Sequence, residues 1–336
     1  MTTNAGGTQR QALVLGASGG IGGEVARQLR DAGWQVRALK RGLGAETMER
    51  DGIVWMRGDA LDREAVVRAA RGCSVIVHAV NPPGYRNWNE QVLPMIDNTI
   101  AAATVAQATV VLPGTVYNYG PDAFPALRED APQHPTTRKG AIRVELERRL
   151  QAATAQRVRT IIVRAGDFFG PHAGNNWFGQ GLVKPGRPVA VISVPGRPGV
   201  GHQWAYLPDV ARTMVALIER RDTLEPFARF HLGGHWDADG TQMAQAVRRV
   251  AQRHGMRPTV RRFPWWLVWV AAPFVTTMRE MLEMRYLWRE PLRMDNARVT
   301  AALGREPVTP LDTAVGETLA GLGCLRRADA TLAEMG

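Results

Sequence analysis

The amino-acid sequence predicts an α/β protein in which a doubly wound parallel sheet carries a smaller, mainly helical lobe on its C-terminal side. Three observations predict it. Short, continuously apolar runs alternate with amphipathic helical stretches through the first half of the chain, as expected of strands covered on both faces. A glycine-rich turn joins the first apolar run to the first helical stretch. After Gly170 the texture changes to an irregular region rich in Gly and Pro, followed by a segment rich in Trp and Met.

Taken in order, residues 12–15 read as a short buried strand, and after the glycines Ile21, Val25, Ala26 and Leu29 share one helical face up to the stop at Asp31-Ala32-Gly33. Residues 35–39 and 53–56 are the next two strands, 63–71 a helix and 75–80 the fourth strand. An alanine-rich helix over 91–108, a strand at 110–112, a charged amphipathic helix over 139–155 and a sixth strand at 160–163 continue the alternation. Right-handed crossovers then give a Rossmann-type sheet, with its ligand beyond the carboxyl ends of the strands. Residues 10–170 form this core.

The irregular stretch 172–202 reads as a functional loop. Asp209 is expected to cap a helix running to residue 217, 230–232 to add an edge strand, and 240–254 to form a helix with Asp239 or Thr241 near its start. The substrate-side region, 171–336, thus sends 204–235 back to the core and builds a helical lobe from 256–325.

The chain has 336 residues, 45% hydrophobic and 22% charged. That composition excludes disordered and fibrous classes. A net charge of +11 attracts phosphate whatever the sequence, yet only Lys40, Lys139 and Lys184 are lysines and the arginines are scattered. A small anionic ligand explains the charge at least as well as nucleic acid does, and nucleic-acid binding is not expected. Cys73 and Cys324 belong to no metal-spaced cluster, which fits a reducing cytoplasm and no metal site. The polar first ten residues carry no secretory pattern. The longest apolar run, 264–275, is too short to span a bilayer and reads as a buried lobe helix. The competing reading is a segment dipping into a membrane surface, since Arg261, Arg262 and Arg279 flank it.

The strongest local signal is Gly16-Ala17-Ser18-Gly19-Gly20-Ile21-Gly22, placed between a strand and a helix. Glycines there let the backbone turn sharply and approach a pyrophosphate, which the amides and dipole of the helix N-terminus would receive. Gly16, Ser18, Gly19, Gly20, Ile21 and Gly22 are therefore expected to bind a dinucleotide. Lys40 and Arg41 end the second strand where a carboxylate would favour a free ribose hydroxyl, so NADP(H) is preferred and NAD(H) is the second candidate. Asp59 and Ala60 are placed for the adenine edge, and Ala79, Val80 and Asn81 for the ribose and nicotinamide.

With these residues in view, the chain resembles the short-chain dehydrogenase/reductase superfamily, in its extended NAD-dependent epimerase/dehydratase branch, over roughly residues 11–220. The resemblance rests on Gly16-x-x-Gly19-x-x-Gly22, Gly58-Asp59-Ala60-Leu61-Asp62, Thr115 ahead of Tyr119-Gly120, the stretch from Arg164 to Pro171, and Trp204 to Ala211. It implies that Ala165, Asp167 and Phe168 line the nicotinamide pocket and that Thr115 holds a developing oxyanion. The family's Tyr-x-x-x-Lys pair is absent. When Glu147 is aligned with the family's helix acid, Lys139 falls at the tyrosine position and Arg143 at the lysine position. The isoflavone-reductase-like and ether-reductase enzymes look similar here, which implies Lys139 as the acid/base and a cofactor neighbour. Tyr117 and Tyr119 are further candidates, either to donate a proton or to pack against the cofactor. His172, His202, Asn175, Asn176 and Trp177 are candidates to shape the substrate pocket or are simply solvated.

The function expected is an NADP(H)-dependent oxidoreductase acting on a small organic carbonyl or related substrate. The alternatives are a catalytically inactive NADP(H)-binding sensor or scaffold and a nucleotide-sugar epimerase/dehydratase. The chain is expected to be a homodimer or a monomer.

Overall fold

The computed structural model describes residues 10–82, 88–174 and 176–326. Eight strands form the central sheet: β1 (Gln11–Leu15), β2 (Gln35–Lys40), β3 (Thr47–Arg50), β4 (Ile53–Arg57), β5 (Val75–His78), β6 (Thr109–Gly114), then, after the two-residue β7 (Ala126–Leu127), β8 (Thr160–Arg164) and finally Phe227–His231, called β12 in chain order. Their spatial order is β12-β8-β6-β5-β1-β2-β4-β3. Every neighbouring pair is parallel except β3 with β4. The sheet winds outward in both directions from β1, as the alternation of apolar runs and helices requires.

Side chains alternate across this sheet with period two. Ala12, Val14, Val75, Val77, Ile161 and Val163 join one core cluster, whereas Leu13, Leu15, Ile76, Val110, Leu112 and Ile162 join the other. On the first face pack α1 (Gly20–Asp31) and Leu207–Glu219, which is α5. On the second lie α2 (Arg63–Ala70), α3 (Trp88–Ala106) and α4 (Arg138–Ala152). No helix among the described residues is long and apolar enough to cross a membrane.

The remaining strands lie outside the central sheet. β9 (Asp167–Phe169) runs parallel to β11 (His202–Tyr206), which pairs antiparallel with β13 (His235–Asp237). β10 (Val191–Val194) pairs with β14 (Thr259–Arg262), and β7 with β15 (Arg293–Met294). Around them stand α6 (Gln242–Arg253), α7 (Trp265–Ala271), α8 (Thr276–Glu283), α9 (Ala297–Leu303) and α10 (Leu311–Gly321). An aromatic core of Phe169, Phe178, Trp204, Tyr206 and Trp288 closes this region.

The structure departs from the sequence expectation in three places. The exposed hairpin strand β3 carries no apolar run and was not foreseen. Asp209 does not cap α5: it sits in the first turn, where its carboxylate accepts from the Thr309 amide at 2.6 Å and from Arg212 at 2.7 Å. Thr241 stands at the start of α6 as expected, with Asp239 accepting from its amide at 2.9 Å, but the side chain that serves the first turn is that of Asp237, which accepts from the amides of Gln242 and Met243 at 3.0 Å each. The apolar run 264–275 is not a buried helix, because only one face of α7 packs inward.

His78 ends β5 in full burial, its Nδ1 2.8 Å from the Thr99 hydroxyl. That hydroxyl donates to Met95 O at 3.0 Å, so it must accept from the imidazole, which is therefore protonated at Nδ1. Burial first, and the Arg143 guanidinium second, lower the His78 pKa to about 3. His231 on β12 is likewise held well below its ordinary value by burial and by Arg164. The native state keeps both rings neutral, whereas the unfolded chain binds protons below about pH 6.5. Stability should thus be level above that pH and fall as the pH drops from it towards 3, in urea melts at successive pH values. His78→Leu should reduce the acid-side slope by about one proton.

Candidate active site

The site lies at the carboxyl ends of β1, β2, β5, β6 and β8. Gly16 adopts φ +88°, and a Cβ there would lie 2.5 Å from Ala79 O at the end of β5. A Cβ on Gly22 would lie 2.3 Å from Gly16 O. These two approaches fold the turn on itself, with Gly19 N donating to Gly16 O at 2.9 Å. Gly19 caps α1 without a side chain, so the first-turn amides of Gly20, Ile21 and Gly22 have no side-chain acceptor. Ser18 and Gly19 are exposed beside them. A dinucleotide pyrophosphate fits this cradle. Gly20 has a further reason to lack a side chain: its Cβ would stand 2.6 Å from Ala173 O, where the segment after β9 crosses the start of α1.

At the end of β2, Lys40 and Arg41 are exposed. The Lys40 ammonium lies 5.6 Å from the Trp55 ring, and Arg41 lies 3.8 Å from the Asp59 carboxylate. Asp59 also accepts from Leu61 N at 3.0 Å, and Ala60 O accepts from Asn98 at 3.0 Å. Ala79 continues the parallel ladder through its amide to Leu15 O, Val80 is partly buried, and Asn81 accepts from Arg143 at 2.6 Å.

Lys139 is the second residue of α4, whose first turn Thr137 caps by accepting from Gly140 N at 3.0 Å. A Cβ on Gly140 would meet Tyr117 O at 2.1 Å. The glycine therefore lets α4 lie directly against the turn of 116–118 that follows Thr115. Lys139 is only 6% exposed, its ammonium 5.8 Å from the Trp88 ring that Arg143 also covers at 5.1 Å. The structure thus brings Lys139, Arg143, Asn81, Thr115 and Tyr117 towards one mouth. Trp88 was missed by sequence reasoning, because a lone aromatic at a helix start carries no spacing signal.

Glu147, two helical turns further along α4, does other work. It is buried and ion-paired with fully buried Arg164 at the end of β8. Gln133 donates to its second oxygen at 3.0 Å, and Asn118 donates to Gln133 at 3.2 Å. The Thr115 hydroxyl donates to Asn118 Oδ1 at 3.1 Å, and Thr115 O accepts from Arg164 at 2.6 Å. In this arrangement the Thr115 proton is committed, so the hydroxyl must turn away from Asn118 before it can donate to an oxyanion.

Ala165 and Phe168 pack into the core beside α5. Asp167 accepts from His202 across 2.8 Å, and the His202 ring stacks on Trp288 at 3.7 Å. Asn176 and Trp177 are structural, not solvated: Asn176 closes a turn onto Gly179 N at 2.8 Å, and Trp177 packs against Phe263, Trp265 and Trp288. His172 is exposed. Asn175 lies outside the described residues. Beside Trp288, a cleft collects Arg197, Arg262, Arg285 and Arg289 around Phe263 and Trp265. Burial first, then the neighbouring guanidiniums of Arg289 and Arg197, lower the Arg285 pKa. Sequence spacing could not reveal it, because its arginines come from separate segments. No cluster of metal-binding side chains occurs among the described residues.

Residues 12–233 match the NAD dependent epimerase/dehydratase family. The chain belongs to this family. Its fold is similar to that of a putative epimerase from Burkholderia cenocepacia, with TM-score 0.71 and 20% identity over 94% of this chain and 98% of that one. It is also similar to MoeE5 in complex with UDP-glucose and NAD, with TM-score 0.69 and 19% identity over 93% and 98% of the two chains. A 2-alkyl-3-oxoalkanoate reductase from Shewanella oneidensis is 31% identical over 101 residues, 30% of this chain and 25% of that protein. The chain spans about a quarter to a half of the length of the curated relatives it matches. Within this epimerase/dehydratase family member, α4 carries lysine and arginine, four residues apart, at the mouth of the site.

The Glu147 and Arg164 pair tests the network below that mouth. Glu147→Gln leaves a buried guanidinium uncompensated and should lower stability by about 3–5 kcal/mol. Replacing both residues, as Glu147→Leu with Arg164→Met, should recover much of that loss. Urea unfolding of the two variants measures the difference.

Proposed function

We propose that the protein is an NADP(H)-dependent oxidoreductase that moves hydride between the nicotinamide and the carbonyl carbon of a small organic substrate. The observation that carries this reading is a nearly buried Lys139 at the start of α4, held against Trp88 and beside the turn after Thr115. The bound cofactor supplies or accepts the hydride. Lys139 gives the proton to the carbonyl oxygen in reduction and takes it back in oxidation. Arg143, sharing the same indole face and bonded to Asn81, holds the nicotinamide end of the site in place. Thr115, once released from Asn118, donates to the same oxygen.

The cofactor preference rests on Lys40 and Arg41, which offer two cations where a carboxylate would select a free ribose hydroxyl. The short match to a reductase supports the reaction type. Both cysteines are free, in keeping with a reducing cytoplasm. A second reading, nucleotide-sugar epimerisation, draws on the four-arginine cleft and on the fold shared with MoeE5, which binds UDP-glucose and NAD. The two separate cleanly. Net consumption of NADPH with a panel of carbonyl compounds supports the reductase, interconversion of UDP-sugars without net consumption supports the epimerase, and binding with neither points to a sensor.

Lys139→Met should slow turnover by ~10²–10⁴-fold while leaving NADPH affinity within a few-fold, as read by steady-state kinetics and nucleotide titration. The paired change Lys40→Ser with Arg41→Ser should weaken NADPH by ~10-fold or more and leave NADH nearly unchanged. Equal loss for both nucleotides would remove the 2′-phosphate assignment.

A further inference from the structure

α7 is apolar all round, but it is not buried all round. Val268 and Ala272 face the lobe at 4% and 7% exposure, and the Trp265 indole beside them donates to Pro195 O at 2.8 Å. On the opposite side Trp266, Trp269 and Val270 are 66%, 59% and 66% exposed, and Phe274 just beyond is 88% exposed. Trp266, Trp269 and Val270 share one face of α7, and Phe274 extends this apolar surface from the turn that follows the helix. Patches of this kind on a folded chain mark interaction surfaces.

The charge around the patch identifies the partner. Residues 257–289 carry six arginines and two glutamates, with no lysine or aspartate. Arg261 and Arg262 end β14 just before α7, Arg257 precedes that strand, Arg279 follows α7 on α8, and all four are exposed. A second copy of the chain would bring two such cationic rims together at close range. An anionic bilayer would instead attract the rim, while indole rings settle at the depth where hydrocarbon meets headgroups. Seven helical residues are far too few to span, which leaves an orientation flat in the interface. We propose that the outward face of α7, rimmed by these arginines, docks the protein reversibly on an anionic membrane surface. The proposal is independent of the hydride-transfer reading.

The test uses the full chain and vesicles of phosphatidylcholine with and without phosphatidylglycerol. The wild type should co-sediment with the phosphatidylglycerol vesicles, weakly with phosphatidylcholine alone, and less as salt rises. The triple variant Trp266→Ser, Trp269→Ser, Phe274→Ser should lose at least ~10-fold in vesicle affinity while keeping its circular dichroism and nucleotide binding. Arg261→Gln with Arg262→Gln should reduce only the phosphatidylglycerol-dependent part. Wild-type protein left in the supernatant, or a triple variant that binds as well as wild type, overturns the proposal. So does a wild-type dimer in sedimentation velocity that the triple variant dissolves without any vesicle binding, which would make the patch a self-interface. Should the triple variant fold poorly, brominated phosphatidylglycerol vesicles decide on the wild type alone: quenching of tryptophan fluorescence supports docking and its absence refutes it.

Discussion

One buried ion pair holds the working end of this molecule together. Arg164, with no exposed side-chain surface, meets Glu147 inside the protein. Neither charge would tolerate that burial alone. Each is satisfied by further partners: Arg164 reaches Thr115 O at 2.6 Å and His231 Nε2 at 3.1 Å, and Glu147 accepts from Gln133 at 3.0 Å. Because a guanidinium only donates, His231 must present a bare Nε2 to it, which is consistent with the ring being held neutral. The Arg164 group also lies 5.0 Å over the Tyr119 ring. The ends of β6, β8 and β12 are thereby locked to the middle of α4. Lys139, two turns earlier on that helix, inherits its position from this lock.

The central sheet was legible because its signal is redundant. Each parallel strand is an unbroken apolar run, each crossover has its own amphipathic period, and the two faces need no long-range information to be assigned. The elements that escaped are those whose cause is tertiary. β3 is fully exposed and pairs only through its backbone with β4, so nothing in its side chains marks it. Asp209 looks like a helix cap, and becomes instead an acceptor for Thr309, a residue 100 positions away. Asp237 closes the first turn of α6 from inside a preceding strand, five residues before the first amide it serves. The Trp-rich run misled in the other direction: composition alone demands burial, but a helix of seven residues lying at the rim of a lobe has only one inward face.

The site was legible to unequal degrees for a related reason. Glycines in the first turn report backbone proximity, and the approach of Gly16 to Ala79 O and of Gly22 to Gly16 O is the kind of constraint that leaves a trace in sequence. Gly140 leaves such a trace too, yet its meaning depends on Tyr117 O, which is supplied by another element. Spacing along α4 grouped Lys139, Arg143 and Glu147 as one constellation. In three dimensions eight residues of helix span ~12 Å, enough to put the first two at the site mouth and the third in the interior. The four arginines of the cleft beside Trp288 come from three stretches of chain, and no linear pattern could have joined them.

The net charge of +11 suggests a single basic surface when read as one number, but the arrangement is more differentiated. Many arginines are spent locally in helix surface pairs, as Arg148 and Arg149 are with Glu145, or Arg249 and Arg253 with Asp312. Such pairs contribute little stability individually, and they cancel charge where they stand. Among the described residues, no ion pair engages Arg197, Arg262, Arg285 or Arg289 in the cleft, or Arg261 and Arg279 beside α7. Lys40 and Arg41 stand apart from both, at the far end of the second strand. Part of the excess therefore gathers beside aromatic rings, at Trp55 and around Trp265 and α7, where Arg262 belongs both to the cleft and to the start of the helix. A uniformly basic surface would bind polyanions indiscriminately. Cations set beside aromatics select instead for anions joined to a flat or apolar body, which is a narrower chemistry than charge alone implies.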